Sequence, residues 1–112
     1  IGEKELMKMK TGAYLINTAR GAVIHEKSLI QSLKSGHLGG AGLDVFEFEP
    51  DISNELLEMS NVVLVPHVGT ASYETRKAMA EEAARNIVQY HKGSRPPNVV
   101  NENVFSKAGK NK

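Results

Sequence analysis

The chain has 112 residues, with 14 Lys and Arg against 13 Asp and Glu, and no cysteine. That length holds one domain with a modest core, and a formal net charge of +1 gives no electrostatic footing for nucleic acid or an anionic membrane. Lack of cysteine rules out disulfides, thiolate catalysis and zinc fingers and fits a reducing, cytoplasmic setting, while no apolar run approaches the ~20 residues of a membrane span.

Ile1 leads straight into a helical pattern with no initiator methionine, which reads as a piece of a longer protein. Glu3 to Lys10 carries helix formers with Leu6, Met7 and Met9 for a buried side, and Thr11-Gly12 stops it. Ala13 to Asn17 is a short strand, apolar almost throughout, as expected for a strand covered on both faces. Thr18-Ala19-Arg20-Gly21 turns at its carboxyl end, and Ala22-Val23-Ile24 is a brief extended link. Glu26 to Ser35 is a second helix, with Leu29, Ile30 and Leu33 on one side and Gly36 as its stop.

A second strand is expected over Gly39 to Phe46, its small residues allowing close approach of a neighbour. A short helix around Leu56-Leu57, Ile52 to Met59, leads to the most β-prone run, Asn61 to Pro66. Ser72 is placed to cap a last helix from Tyr73 to about Lys92, with Met79, Ala83 and Ile87 as an apolar stripe. Arg95 to Val100 is an extended connector, and the tail from Asn101 is expected to be poorly ordered. Strands alternating with helices imply a parallel sheet built through right-handed crossovers. Three such strands leave much edge and face open, which again suggests part of a larger doubly wound α/β sheet.

Polar residues at the carboxyl ends of these strands are where open α/β sheets place their chemistry. Arg20 follows the first strand, and its planar fork could bind a carboxylate through two parallel hydrogen bonds, although a lone arginine in a turn is ordinarily a surface residue. Asp44 lies in the second strand run and, if buried, needs a donor from elsewhere, which a ligand carboxamide would supply. Glu47 reads as a solvated bystander. Glu49 precedes Pro50, which restricts its backbone to extended geometry, and His67 follows Pro66 at the third strand's end. A carboxylate beside that imidazole would hold one tautomer and suit a general acid near neutral pH. The spacing of His25, His37 and His91 offers no metal site. Gly39-Gly40-Ala41-Gly42 does not satisfy G-x-G-x-x-G and precedes a strand, so it is no phosphate loop.

Taken together, Leu15-Ile16-Asn17-Thr18-Ala19-Arg20-Gly21, Gly42 to Pro50 and Pro66-His67-Val68-Gly69 stand in the order and spacing that resembles the D-isomer-specific 2-hydroxy acid dehydrogenases. The helix start Ala71 to Arg76 is similar too, and the likeness extends to about Val100. The Asp-Val-Phe-Glu-Phe-Glu-Pro and Pro-His-Val-Gly-Thr runs look most like glyoxylate/hydroxypyruvate reductases of fungal type.

The resemblance implies the C-terminal part of a Rossmann dinucleotide-binding domain over residues 1–72. Residues 73–112 would then be a crossover helix and tail returning to a substrate domain. It implies NAD or NADP as cofactor, a small 2-oxo or 2-hydroxy acid as substrate, and a homodimer. Arg20 would bind the substrate carboxylate, and His67 would be the acid–base paired with Glu49. Asp44 would accept from the nicotinamide carboxamide, with Thr18, Ala19, Arg20, His67, Val68, Gly69 and Thr70 around it. His25 stands where such proteins often have an acidic or amide helix cap. The phosphate-binding glycine loop and the residue that selects NAD or NADP would lie upstream of Ile1, so the chain alone should bind cofactor poorly. Two rivals stay open: a dinucleotide-sensing scaffold of the corepressor type, and an inert fragment.

Overall fold

The computed structural model describes residues 1–104, so most of the tail expected beyond Asn101 lies outside the described residues. Two compact units divide the chain, residues 1–70 and residues 71–112. In the first, strands β1 (Ala13–Asn17), β2 (Leu38–Leu43) and β3 (Val62–Leu64) form a sheet of order β1-β2-β3. Both pairings are parallel. Helix α1 (Glu3–Leu6) precedes β1, while α2 (Glu26–Lys34) and α3 (Asn54–Leu57) fill the two crossovers.

A strand order that steps in one direction, with crossovers of one hand, sends both crossover helices to the same face. The core accordingly sits on that face, where Leu6, Leu29, Leu33 and Leu56 meet Leu15, Leu38 and Leu43. Full two-sided cover of β1, expected from its apolar composition, does not occur within these residues. Leu15 and Asn17 point into the core, whereas Tyr14 and Ile16 are 72% and 69% exposed.

Element boundaries differ from expectation where the last turn tightens or the chain leaves the sheet. α1 ends at Leu6, well before Lys10, because the next amides switch to i→i−3 bonds, Lys8 to Glu5 and Met9 to Leu6. Ala22–Ile24 is not extended: Gly21–Val23 forms a 3-10 turn closed by the amides of Val23 and Ile24 on the carbonyls of Arg20 and Gly21. β2 stops at Leu43 rather than Phe46. The Asp44 amide still reaches the Asn17 carbonyl at 3.0 Å, but its side chain is turned to another loop and the chain departs the sheet.

The second unit contains α4 (Tyr73–His91), started by Ser72, whose hydroxyl accepts from the Thr75 amide. The connector after it folds back within this unit. Asn86 Nδ2 donates to Asn98 Oδ1 at 2.8 Å, and the Asn98 amide donates to Asn86 Oδ1 at 3.1 Å. None of the described helices is long and apolar enough to cross a membrane.

Candidate active site

The loops that leave β1, β2 and β3 at their carboxyl ends interlock, and each contact traces to a particular residue type. Asn17, buried at the end of β1, bends the first loop: its Oδ1 accepts from the Ala19 amide at 3.1 Å and its Nδ2 donates to the Arg20 carbonyl at 3.0 Å. This is the turn that asparagine makes with its own backbone two residues on. An asparagine at a strand end before a turn is the sequence signal for this bend. Arg20 itself is exposed, with Nη1 donating to the Ala19 carbonyl at 2.7 Å.

Gly21 locks the first loop to the second. A Cβ on Gly21 would sit 1.8 Å from the Phe46 carbonyl oxygen and 2.5 Å from the Glu47 amide nitrogen. Both obstacles are backbone, so Gly21→Ala is expected to lower unfolding stability by about 1–3 kcal/mol or more. Urea unfolding of the chain measures it, and wild-type stability would refute this close approach.

Asp44 locks the second loop to the third. It is 4% exposed, and its Oδ1 and Oδ2 accept from the Val68 and Gly69 amides at 2.6 and 2.8 Å. The donors this buried carboxylate requires therefore come from the chain itself. A carboxylate has about four acceptor sites, so each oxygen retains one. Gly69 permits the approach, since a Cβ there would lie 2.8 Å from Asp44 Oδ2.

His67 and Glu49 meet directly. His67 Nδ1 lies 3.0 Å from Glu49 Oε2, and Glu49 Oε1 accepts from the Phe46 amide at 2.9 Å. An ionised carboxylate only accepts, so Nδ1 carries a proton toward Glu49, and Nε2 is the ring nitrogen that Glu49 does not engage. His67 adopts a left-handed backbone, φ 52°, a conformation few non-glycine residues hold. Side-chain exposures of 49% for His67 and 36% for Glu49 leave the pair open to a small molecule. A cleft of about 370 Å³ beside it is lined by Phe46, Glu49, Pro50, Ile52, Pro66 and His67.

The Phe46 amide above all, then the His67 hydrogen bond, hold the Glu49 carboxyl below the ordinary carboxylate range, with the His67 and Arg20 charges adding smaller effects in the same direction. Because the folded-state value is depressed, this stabilisation is complete above the ordinary range and fades as pH falls through the lowered value. Glu5, lowered chiefly by the Gly2 amide, acts the same way at α1. Glu49→Gln is therefore expected to flatten part of the acid limb of stability against pH. Urea midpoints from neutral to acid pH test this, and an unchanged acid slope would count against it.

Glu47 is no solvated bystander. Its Oε2 accepts from the Glu26 amide at 2.8 Å, while the Glu47 amide donates to Glu26 Oε2 at 3.4 Å. The helix α2 has His25 at its N-cap position without a capping side-chain bond, and the distant Glu47 takes the first helical amide instead. His25 turns its Nδ1 to Ser28 Oγ at 2.8 Å. No group of three or more His, Cys, Asp or Glu among the described residues could hold a metal ion.

The chain as a whole has counterparts among known proteins. Residues 1–69 match the family model described as D-isomer specific 2-hydroxyacid dehydrogenase, NAD binding domain. The chain belongs to this family. A glyoxylate reductase of Thermococcus litoralis is 54% identical over 106 residues, covering 95% of this chain and 32% of the relative. A solved glyoxylate reductase from Paecilomyes thermophila superposes with a TM-score of 0.86 at 44% identity, covering 92% of this chain and 31% of that one. An NADPH-dependent glyoxylate/hydroxypyruvate reductase from Sinorhizobium meliloti, solved in complex with NADP and malonate, gives a TM-score of 0.76 at 38% identity, over 81% of this chain and 28% of that one. The chain thus spans about a third of the length of the relatives it matches. The three-stranded parallel sheet is accordingly a piece of a Rossmann-like NAD-binding domain.

Proposed function

We propose that this chain supplies the catalytic edge of an NAD(P)H-dependent reductase of small 2-oxo acids, glyoxylate or hydroxypyruvate being the class favoured by its relatives. The observation that carries the reading is the His67–Glu49 hydrogen bond of 3.0 Å at the open end of the sheet. The residues present fit the nicotinamide end of a dinucleotide. Thr18 to Arg20 and His67 to Thr70 are exposed, Ala19 and Gly69 are small, and Asp44 keeps acceptor capacity for a carboxamide. No G-x-G-x-x-G turn, the usual cradle for the dinucleotide phosphates, occurs in the 112 residues.

When bound, the reduced nicotinamide supplies the hydride. His67 Nε2 gives a proton to the carbonyl oxygen as that oxygen takes up the π electron pair, and Glu49 steadies the imidazolium beforehand. Arg20 holds the substrate carboxylate and stabilises the negative charge developing on the keto oxygen. In the reverse direction neutral His67 takes the hydroxyl proton. Residues 73–112 act in this reading as the crossover helix and tail returning to a substrate domain, and by family resemblance the whole protein is a cytoplasmic homodimer.

The test is steady-state reduction of glyoxylate and hydroxypyruvate by the full-length protein with NADH or NADPH. Turnover with either pair is expected. Dinucleotide binding without turnover on any 2-oxo acid would overturn the reading in favour of a sensing scaffold.

A further inference from the structure

The hydrogen bonds of Glu49 leave one question of geometry open. Its Oε1 bond ties the turn over 47–50 to the amide of Phe46 just before it, and the Asp51 amide closes the turn on the Phe48 carbonyl at 2.9 Å. These bonds fix the side chain relative to the segment from Phe46 to Asp51, whose base must in turn be held to the rest of the fold. Burial of Phe46 in the core holds that base, and two contacts beside it add to the hold. One is the Gly21 backbone against the Phe46 carbonyl, and the other is the exchange between Glu47 and Glu26.

We propose that Glu47, with Glu26, is a positioning pair for the Glu49–His67 couple, a role that rests on the acid–base reading of His67. Glu47 is well suited to it. Its carboxylate takes the first amide of α2, where the helix dipole favours negative charge and where His25 offers no cap. Glu26 is 7% exposed and returns the contact to the Glu47 amide, so the strut is largely shielded from water. The contact joins residues 21 apart, from the first turn of α2 to the turn that carries Glu49. Glu47 touches neither Nε2 of His67 nor the open side of the cleft, and it acts only through where Glu49 stands.

In the full-length protein, Glu47→Ala is expected to lower kcat about ten- to a hundredfold with little change in KM for the 2-oxo acid. It should also move the limb of the pH–rate profile that His67 governs. Glu47→Gln keeps an oxygen that can accept from the Glu26 amide and is expected to restore kcat to within about threefold of wild type. Nitrogen-15 NMR of the His67 ring gives a readout independent of turnover. The fixed Nδ1–H tautomer should be lost in Glu47→Ala and kept in Glu47→Gln.

Wild-type kcat, pH profile and ring signals in Glu47→Ala would overturn the proposal, as would equal impairment of the alanine and glutamine variants. Should Glu47→Ala fail to fold, Glu47→Asp, one methylene short of the helix amide, takes its place with the same expectations. If His67→Gln leaves turnover intact, the acid–base reading fails, and the ring signals still decide whether Glu47 positions the pair.

Discussion

Replacing His67 with glutamine in the full-length protein is expected to lower kcat for glyoxylate reduction by about a hundred- to ten-thousandfold. Glutamine matches the imidazole roughly in length, and its amide can still donate to Glu49 Oε2, which His67 Nδ1 meets at 3.0 Å. It has no proton to give at neutral pH, and so the variant removes the chemistry while leaving the loop supported. Dinucleotide affinity, measured by fluorescence titration, should remain near wild type because no charged contact to the cofactor is lost. Glu49→Gln should fall between the two, since Nδ1–H keeps an oxygen partner and loses only the charge that steadies the imidazolium. A His67→Gln variant with wild-type kcat would remove the histidine from the reaction.

Asp44→Asn is expected to lower unfolding stability by about 1–3 kcal/mol even with no dinucleotide in the sample. The buried carboxylate accepts two amides, one on each oxygen, at 2.6 and 2.8 Å. Asparagine has one acceptor oxygen, so its NH2 would be forced against the N–H of Val68 or of Gly69, leaving donors unpaired at a part-buried contact. Urea unfolding measures the loss. Amide exchange at Val68 and Gly69 should speed up beyond the rest of the sheet, because these amides hold the loop that carries His67. If Asp44 served a cofactor alone, the ligand-free variant would match wild type in both measurements.

Asp44 takes its two donors from the histidine loop, a pairing that neighbouring residues in the chain do not reveal. An acid in an apolar run announces a partner, yet a strand tip does not say whether the partner is a ligand or an amide 24 residues on. Glu47 is the sharper case. Glu47 and Glu49 stand two residues apart and only the second precedes a proline, yet both are engaged: one closes a helix N-terminus and the other an imidazole. Boundaries slipped for a related reason. β2 ends at Leu43 since the Asp44 side chain is drawn to the third loop, and α1 ends early as its last amides tighten to i→i−3 bonds.

Local chemistry was enough for β1, bracketed by Gly12 and the Thr18 to Gly21 turn, for α2 with its one apolar side, and for α4 behind its Ser72 cap. The parallel sheet followed from strands alternating with helices, while Arg20, Glu49 and His67 stood out only as polar residues following the strands, their proposed roles coming from the family resemblance. These features depend on propensity, periodicity and turn residues, all carried within a few positions. The tertiary structure alone decided that Gly21 must lack a side chain, that Asp44 holds the histidine loop, and that Glu47 caps α2. Each is a contact between atoms far apart in the chain, made only once the strands are in register and their carboxyl-end loops are brought face to face.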